Sequence, residues 1–147
     1  MKKTLIALAM VAFATIACEK NADAADTYKR GVDSTFTAGC TDPTERTDGT
    51  ALSASEIASV EYYIDDVDGN GLTYEQIQAN VPTFTRVMAN GCASTRDFSV
   101  DLQQFPVMKT QYRFAVAKDT DNQYSVGSVS NEFIIQSANP NAPGQIK

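Results

Sequence analysis

The chain contains no histidine, and its 12 lysines and arginines are outnumbered by 18 aspartates and glutamates in 147 residues. Without histidine there can be no Ser-His-Asp or Cys-His nucleophilic site, and no histidine-based zinc or iron centre. An acidic chain without a basic run is a poor nucleic-acid ligand, because phosphate neutralisation supplies most of that affinity. Anionic membrane surfaces are disfavoured in the same way, and the acidity favours solubility. No Gly-rich, phosphate-cradling motif precedes a helix. Long apolar runs are absent except at the N terminus.

That exception is TLIALAMVAFATIA (Thr4 to Ala17), which follows the basic start Met1-Lys2-Lys3. A short charged start before an uncharged apolar run reads as a secretory signal. The run is shorter than the roughly 20 residues that span a bilayer. Two exits are open. Ile16-Ala17-Cys18 resembles a bacterial lipobox, which would make Cys18 the lipidated first residue of the mature chain, although Thr15 departs from the pattern. Ala22-Asp23-Ala24 offers an ordinary small-x-small cleavage site. The expected divisions are therefore a signal over 1–24, or 1–17 on the Cys18 route, and a linker or first strand over 25–31. A domain over 32–137 and a Pro- and Asn-rich tail over 138–147 complete them.

Either exit leaves Cys40 and Cys92, a candidate disulfide in an exported domain, the alternative being two buried thiols. On the chain-entropy model such a bridge contributes about 4 kcal/mol. Removing Lys2 and Lys3 leaves 10 basic against 18 acidic residues, a net charge of about −8.

The rest of the chain alternates apolar and polar residues in short segments separated by Gly, Asp, Asn, Pro and Ser, which points to an all-β domain. STFTAGC puts Phe36, Ala38 and Cys40 on one face, and DFSVDL does the same with Phe98, Val100 and Leu102. SVEYYID puts Val60, Tyr62 and Ile64 on one face, with Glu61 and Tyr63 on the outward one. QYRFAVA aligns Tyr112, Phe114 and Val116, and NEFIIQ closes the series. PTFTRVM is expected as an edge strand with Pro82 at its start, and YEQIQA as a helical turn in a long loop. No segment carries a helical stripe over three turns. The pattern predicts a two-sheet antiparallel sandwich with one solvated face per sheet.

From about Val32 to Pro143 the chain resembles a bacterial fibronectin type III domain, an immunoglobulin-like β-sandwich. The resemblance rests on DPTERTDGTALSASEI before the strand SVEYYID, on DLQQFPVMKTQYRFAVAKDTDNQYSVGSVSNEF, and on the linker-like ANPNAP. It implies that Tyr112 is a corner tyrosine, with its ring between the sheets and its hydroxyl bonded to backbone near Phe105 to Met108. It further implies that Cys40 and Cys92 meet at one pole of the sandwich. The family's second-strand tryptophan is missing and Cys40 stands in its place, so the freed volume must be filled by Phe36, Tyr62 or Met88. The Pro-rich first strand is missing too, and ADTYKRG must serve.

DDVDGNGLTYEQ (Asp65 to Gln76) imitates a calcium loop, with Asp66, Asp68 and Asn70 at alternate positions before Gly71. Counting from Asp66, the twelfth position should supply a bidentate carboxylate, and Ile77 occupies it. Asp-Gly-Asn-Gly is ordinary turn chemistry. A non-EF calcium site from Asp65, Asp66, Asp68 and Asn70 is the alternative. KDTDNQYS is expected to be a polar hairpin at the opposite pole.

The reading that follows is a non-catalytic protein with no cofactor, acting as a protein-interaction or adhesion module of a bacterial envelope or phage-related surface. Its partner would be a protein or glycan. It would sit in the outer membrane or periplasm as a lipoprotein, or be secreted. The alternatives are a calcium-stabilised structural subunit and a small hydrolase using two carboxylates roughly 5 to 10 Å apart.

Overall fold

The computed structural model describes residues 26–46, 49–92, 98–128 and 130–138. Cys18, the signal and the tail beyond Ala138 lie outside them. The elements are β1 (Asp26–Lys29), β2 (Thr35–Ala38), β3 (Ile57–Asp65), α1 (Tyr74–Asn80), β4 (Phe84–Ala89), β5 (Phe98–Asp101), β6 (Thr110–Asp119) and β7 (Asn131–Gln136). They form a mostly β protein of two sheets arranged as an open sandwich. The larger sheet runs β1-β7-β6-β3-β4 and the smaller pairs β2 with β5. All pairings are antiparallel except β1 with β7, which run parallel from Asp26↔Phe133 to Lys29↔Gln136.

Alternation decides which side chains enter the space between the sheets. Phe36 and Ala38 of β2 and Phe98 and Val100 of β5 point inward, and Val60, Tyr62 and Ile64 of β3 meet them. Phe133 and Ile135 of β7 complete that layer. Tyr62 meets Phe98 edge-on at 5.1 Å, while Phe36, Phe105 and Tyr28 gather around Phe133. Such pairs add about 0.5–1.5 kcal/mol each beyond the area they bury.

The expectation of one solvated face per sheet fails for β3 and β6. Both faces of these central strands are covered, and a second apolar cluster of Tyr63, Ile77, Phe114 and Val116 lies on the outer side. α1 provides the cover. Its start is fixed by a capping box, with Thr73 N–H donating to Gln76 Oε1 at 2.9 Å and Gln76 N–H donating to Thr73 Oγ1 at 3.4 Å. That places Ile77, 1% exposed, against Phe114 and Val116. The sequence pattern put Phe114 and Val116 toward the small sheet. They face away from it, and Ala115 and Ala117 face it instead. FAVA is apolar on both sides, so periodicity alone could not choose. The register settles the choice, because Tyr62 opposes Ala115 and Tyr63 opposes Phe114, so a bulky inner tyrosine lies beside a small residue.

Cys40 and Cys92 are joined as a disulfide with Cα atoms 5.7 Å apart, within the ordinary range. Two left-handed residues after β4, Asn90 at φ 61° and Gly91 at φ 79°, turn the chain so that Cys92 reaches Cys40. Asp42 accepts the Cys92 N–H and fixes the turn. Met88 Sδ stands 3.6 Å from Cys40 Sγ and fills the volume that a second-strand tryptophan would take. Closing a separation of 52 residues is worth about 4 kcal/mol on the chain-entropy model. Intact-mass spectrometry of the protein purified without reductant should show a gain of two hydrogens on reduction, and Cys92→Ser should cost about 2–5 kcal/mol in urea melts. Complete alkylation of both thiols without reductant would refute the bond.

Candidate functional site

The calcium-like loop is folded onto the outer face of the large sheet and does not hang free as a polar bend. Gly71 N–H donates to Gly127 C=O at 3.0 Å, and Gly127 N–H donates to Leu72 C=O at 2.8 Å. The approach is so close that a Cβ at Gly69 would enter the Phe114 ring, and one at Gly127 would strike the Gly69 carbonyl. Only glycine fits at either position.

The four candidate ligands share this loop, but its three carboxylates are spent on separate tasks. Asp65 is buried and accepts the Asp66 N–H at 2.9 Å, and its burial raises the carboxyl pKa against the opposing pull of the Thr83 N–H and Lys109. Asp66 is ion-paired with Lys109. Asp68 Oδ1 accepts the Asn70 N–H at 2.9 Å and the Ser130 hydroxyl at 2.6 Å. Among the described residues, no group of three His, Cys, Asp or Glu side chains could hold a metal ion. In the KDTDNQYS hairpin, Asp119 Oδ1 accepts the N–H groups of Asp121 and Gln123 at 2.9 and 2.8 Å. Asp119 lies beside Ile57 at the far end of β3 from Asp65, so the two acidic turns occupy opposite poles. Asp33 and Asp101 likewise accept backbone N–H groups, at 2.7 and 2.8 Å. These carboxylates act as turn caps.

Tyr112 requires a correction. Its ring lies on the outer face of β6 beside Phe114, not between the sheets, and its hydroxyl makes no bond to the turn from Phe105 to Met108. Side chains on adjacent β6 positions point to opposite faces, and Arg113 takes the inner one, over the Phe36 and Phe133 rings. The turn that the tyrosine was expected to anchor is held by Arg30, which donates to Phe105 C=O, and by Met108 N–H, which donates to Ile135 C=O at 2.7 Å.

Tyr63 needs the opposite correction. It was expected on an exposed face and is fully buried. Its hydroxyl donates to Glu61 and accepts from Gln78 Nε2 at 2.8 Å, which ties α1 to the sheet. Burial, then Glu61, push its phenol well above the ordinary tyrosine range. Nearby, Tyr74 and Tyr124 stack at 3.8 Å, with Lys118 over Tyr124. Burial and the Tyr124 hydroxyl raise the Tyr74 phenol to about 12. The stack covers one face of each ring and seals the edge of the outer cluster.

The third feature is β4, which was expected to be an edge strand and is one. Thr85, Val87 and Ala89 are exposed, and Val87 is 60% accessible. Among the described residues, β4 pairs only with β3. Among the same residues, no helix is long and apolar enough to cross a membrane. No family model matches the chain, and neither curated proteins nor solved structures match it.

Two mutational outcomes follow from this geometry. Tyr63→Phe removes the hydroxyl shared by Glu61 and Gln78 and should cost about 1–3 kcal/mol. Tyr112→Phe should cost less, and urea melts showing the reverse order would overturn the face assignment. Asp68→Ala should cost about 0.5–1.5 kcal/mol through the lost Asn70 and Ser130 bonds, with or without calcium. A calcium-dependent rise in melting temperature that Asp68→Ala abolishes would reinstate the metal site.

Proposed function

We propose that this protein is a non-catalytic, exported interaction module of a bacterial envelope or phage-related surface, built on an immunoglobulin-like sandwich of fibronectin type III kind. It is held at the membrane through lipidated Cys18, or secreted if cleavage follows Ala24. The strand order supports the fold reading. β2 and β5 share one sheet while β3, β4, β6 and β7 share the other, as in immunoglobulin-like connectivity with β4 in the C′ position. Two features depart from the fibronectin type III pattern. β1 joins β7 where the family places its first strand beside the second, and Tyr112 lies on the outer face. The resemblance is therefore one of connectivity. Against catalysis stand the lack of histidine and the use of the carboxylates as turn caps and in ion pairs.

The observation that carries the interaction reading is the free edge of β4. An exposed edge strand offers a row of unpaired backbone N–H and C=O groups, which is the commonest template for adding a strand from a partner. Hydrogen–deuterium exchange of the protein, diluted to where sedimentation shows a monomer, with and without solubilised envelope extract tests the reading. Slowed exchange over residues 84–90 is the expected result. Slowed exchange confined to another surface would move the interface, and none on any surface would defeat the interaction reading.

A further inference from the structure

We infer that β4 pairs with β4 of a second copy of this chain, antiparallel about a two-fold axis through Val87, so that the two large sheets become one. This names the partner for the edge described under the proposed function and rests on that reading.

The backbone geometry determines which groups are available. Asn90 N–H donates to Ala58 C=O at 2.9 Å, and the register from Ser59↔Ala89 to Ile64↔Phe84 continues from that pair without a shift. Hydrogen-bonded and non-bonded pairs alternate along an antiparallel ladder. Phe84, Arg86 and Met88 therefore direct their backbone groups to β3, while Thr85, Val87 and Ala89 direct theirs to the open side. β4 is also the longest edge available, at six residues against four each for β1, β2 and β5. The opposite edge of the large sheet is guarded. On β1 the Lys29 N–H is capped by Asp33, and Asp26 and Lys29 add charges. Among the described residues β4 lacks such a cap; it contains no Pro and no Lys, its charge, Arg86, lies over the Phe98 ring, and it exposes Val87.

The sequence of β4 suits its own copy in one register. Outward-facing groups must meet outward-facing groups, which limits the choice to alternate registers. Centring on Val87 sets Val87 opposite Val87 and Thr85 opposite Ala89, joining all three outward residues of each strand through about six hydrogen bonds. The next register on one side sets Arg86 directly opposite Arg86, and like charges facing across a ladder are destabilising. The next on the other side loses Thr85 from the ladder. In the centred register Arg86 faces Met88. The approach is electrostatically open as well. The chain carries 18 acidic against 12 basic residues, yet 81–92 contains no Asp or Glu and has Arg86 as its charge. The acidic side chain nearest this edge is Glu61, one strand in and opposite Val87, and the Tyr63 hydroxyl donates to it.

The test uses sedimentation equilibrium on the unmutated protein, on Val87→Lys, on Val87→Glu, and on an equal mixture of the two variants. The Val87 side chain is exposed, so both variants should keep the parent's far-UV circular dichroism. Measured where the parent too is a monomer, Val87→Lys should keep its melting temperature and Val87→Glu, which faces Glu61 across the β3–β4 ladder, should melt slightly lower. The unmutated protein should sediment at twice the monomer mass. Each variant alone should dimerise at least about ten-fold more weakly, and the mixture should recover the dimer, because only in the centred register does position 87 face itself. Val87→Pro removes an outward N–H that β3 does not use, and should leave a folded monomer. A monomeric unmutated protein overturns self-pairing, as does a dimer indifferent to Val87→Pro or a mixture that fails to recover. Slowed exchange over 84–90 with envelope extract would still uphold the broader interaction reading in each of those cases.

Discussion

The pairing of β3 with β6 is the constraint on which the other contacts depend. These are the two longest strands, joined from Ile57↔Asp119 to Asp65↔Tyr112; β6 is apolar on two faces, and β3 adds Tyr63 to the outer one. Neither face can be left in water without losing roughly 25 cal/mol for each Å² of apolar surface exposed. The β2–β5 ribbon covers one side. On the other side the described residues form no second sheet, and α1, the 66–73 loop and the returning segment through Gly127 cover it. The calcium-like loop owes Gly69 to that duty, which brings backbone onto the Phe114 ring, while Gly71 serves the turn itself through its φ of 74°.

Much of this was legible in the residues. Period-two alternation identified Phe36, Ala38 and Cys40, and likewise Val60, Tyr62 and Ile64, as inner faces, and Pro82 marked the start of an edge strand. The wrong face for β6 has a plain cause. FAVA is apolar at every position, and a strand covered on both sides carries no alternation from which to choose a face. Tyr112 was assigned to the core between the sheets for that reason, whereas Tyr63 was put on the correct outer face and its burial was missed because α1 covers that face. α1 has seven residues and one buried side chain, Ile77, too short a stripe for a helical period to register. Thr73 with Gln76 at the third position was the signal available, a capping box before a weak apolar pattern. Arg30 as the anchor of the 105–108 turn had no local signal, because its partners are more than 70 residues away in the chain.

Acidic composition takes on a specific meaning in this molecule. Asp33, Asp42, Asp68, Asp101 and Asp119 each accept a backbone N–H at a turn or strand end. A two-sheet protein has many reversals, and each leaves N–H groups that the ladders do not reach. Aspartate side chains are short enough to satisfy them locally. The same chemistry that makes DDVDGNG resemble a metal loop therefore makes it a reversal, and the difference lies in where the oxygens point.

The parallel pairing of β1 with β7 has a mechanical consequence. β1 begins at one pole and β7 ends at the other, and Arg113 reaches from β6 past the Phe133 ring to Asp26 at 2.8 Å. A tensile load drawn through Asp26 and Gln136 would slide these two strands along each other in shear. The rungs from Asp26↔Phe133 to Lys29↔Gln136 would be strained together, not opened one after another as in an unzipping hairpin. A molecule held at one end and pulled at the other would resist with the whole ladder at once.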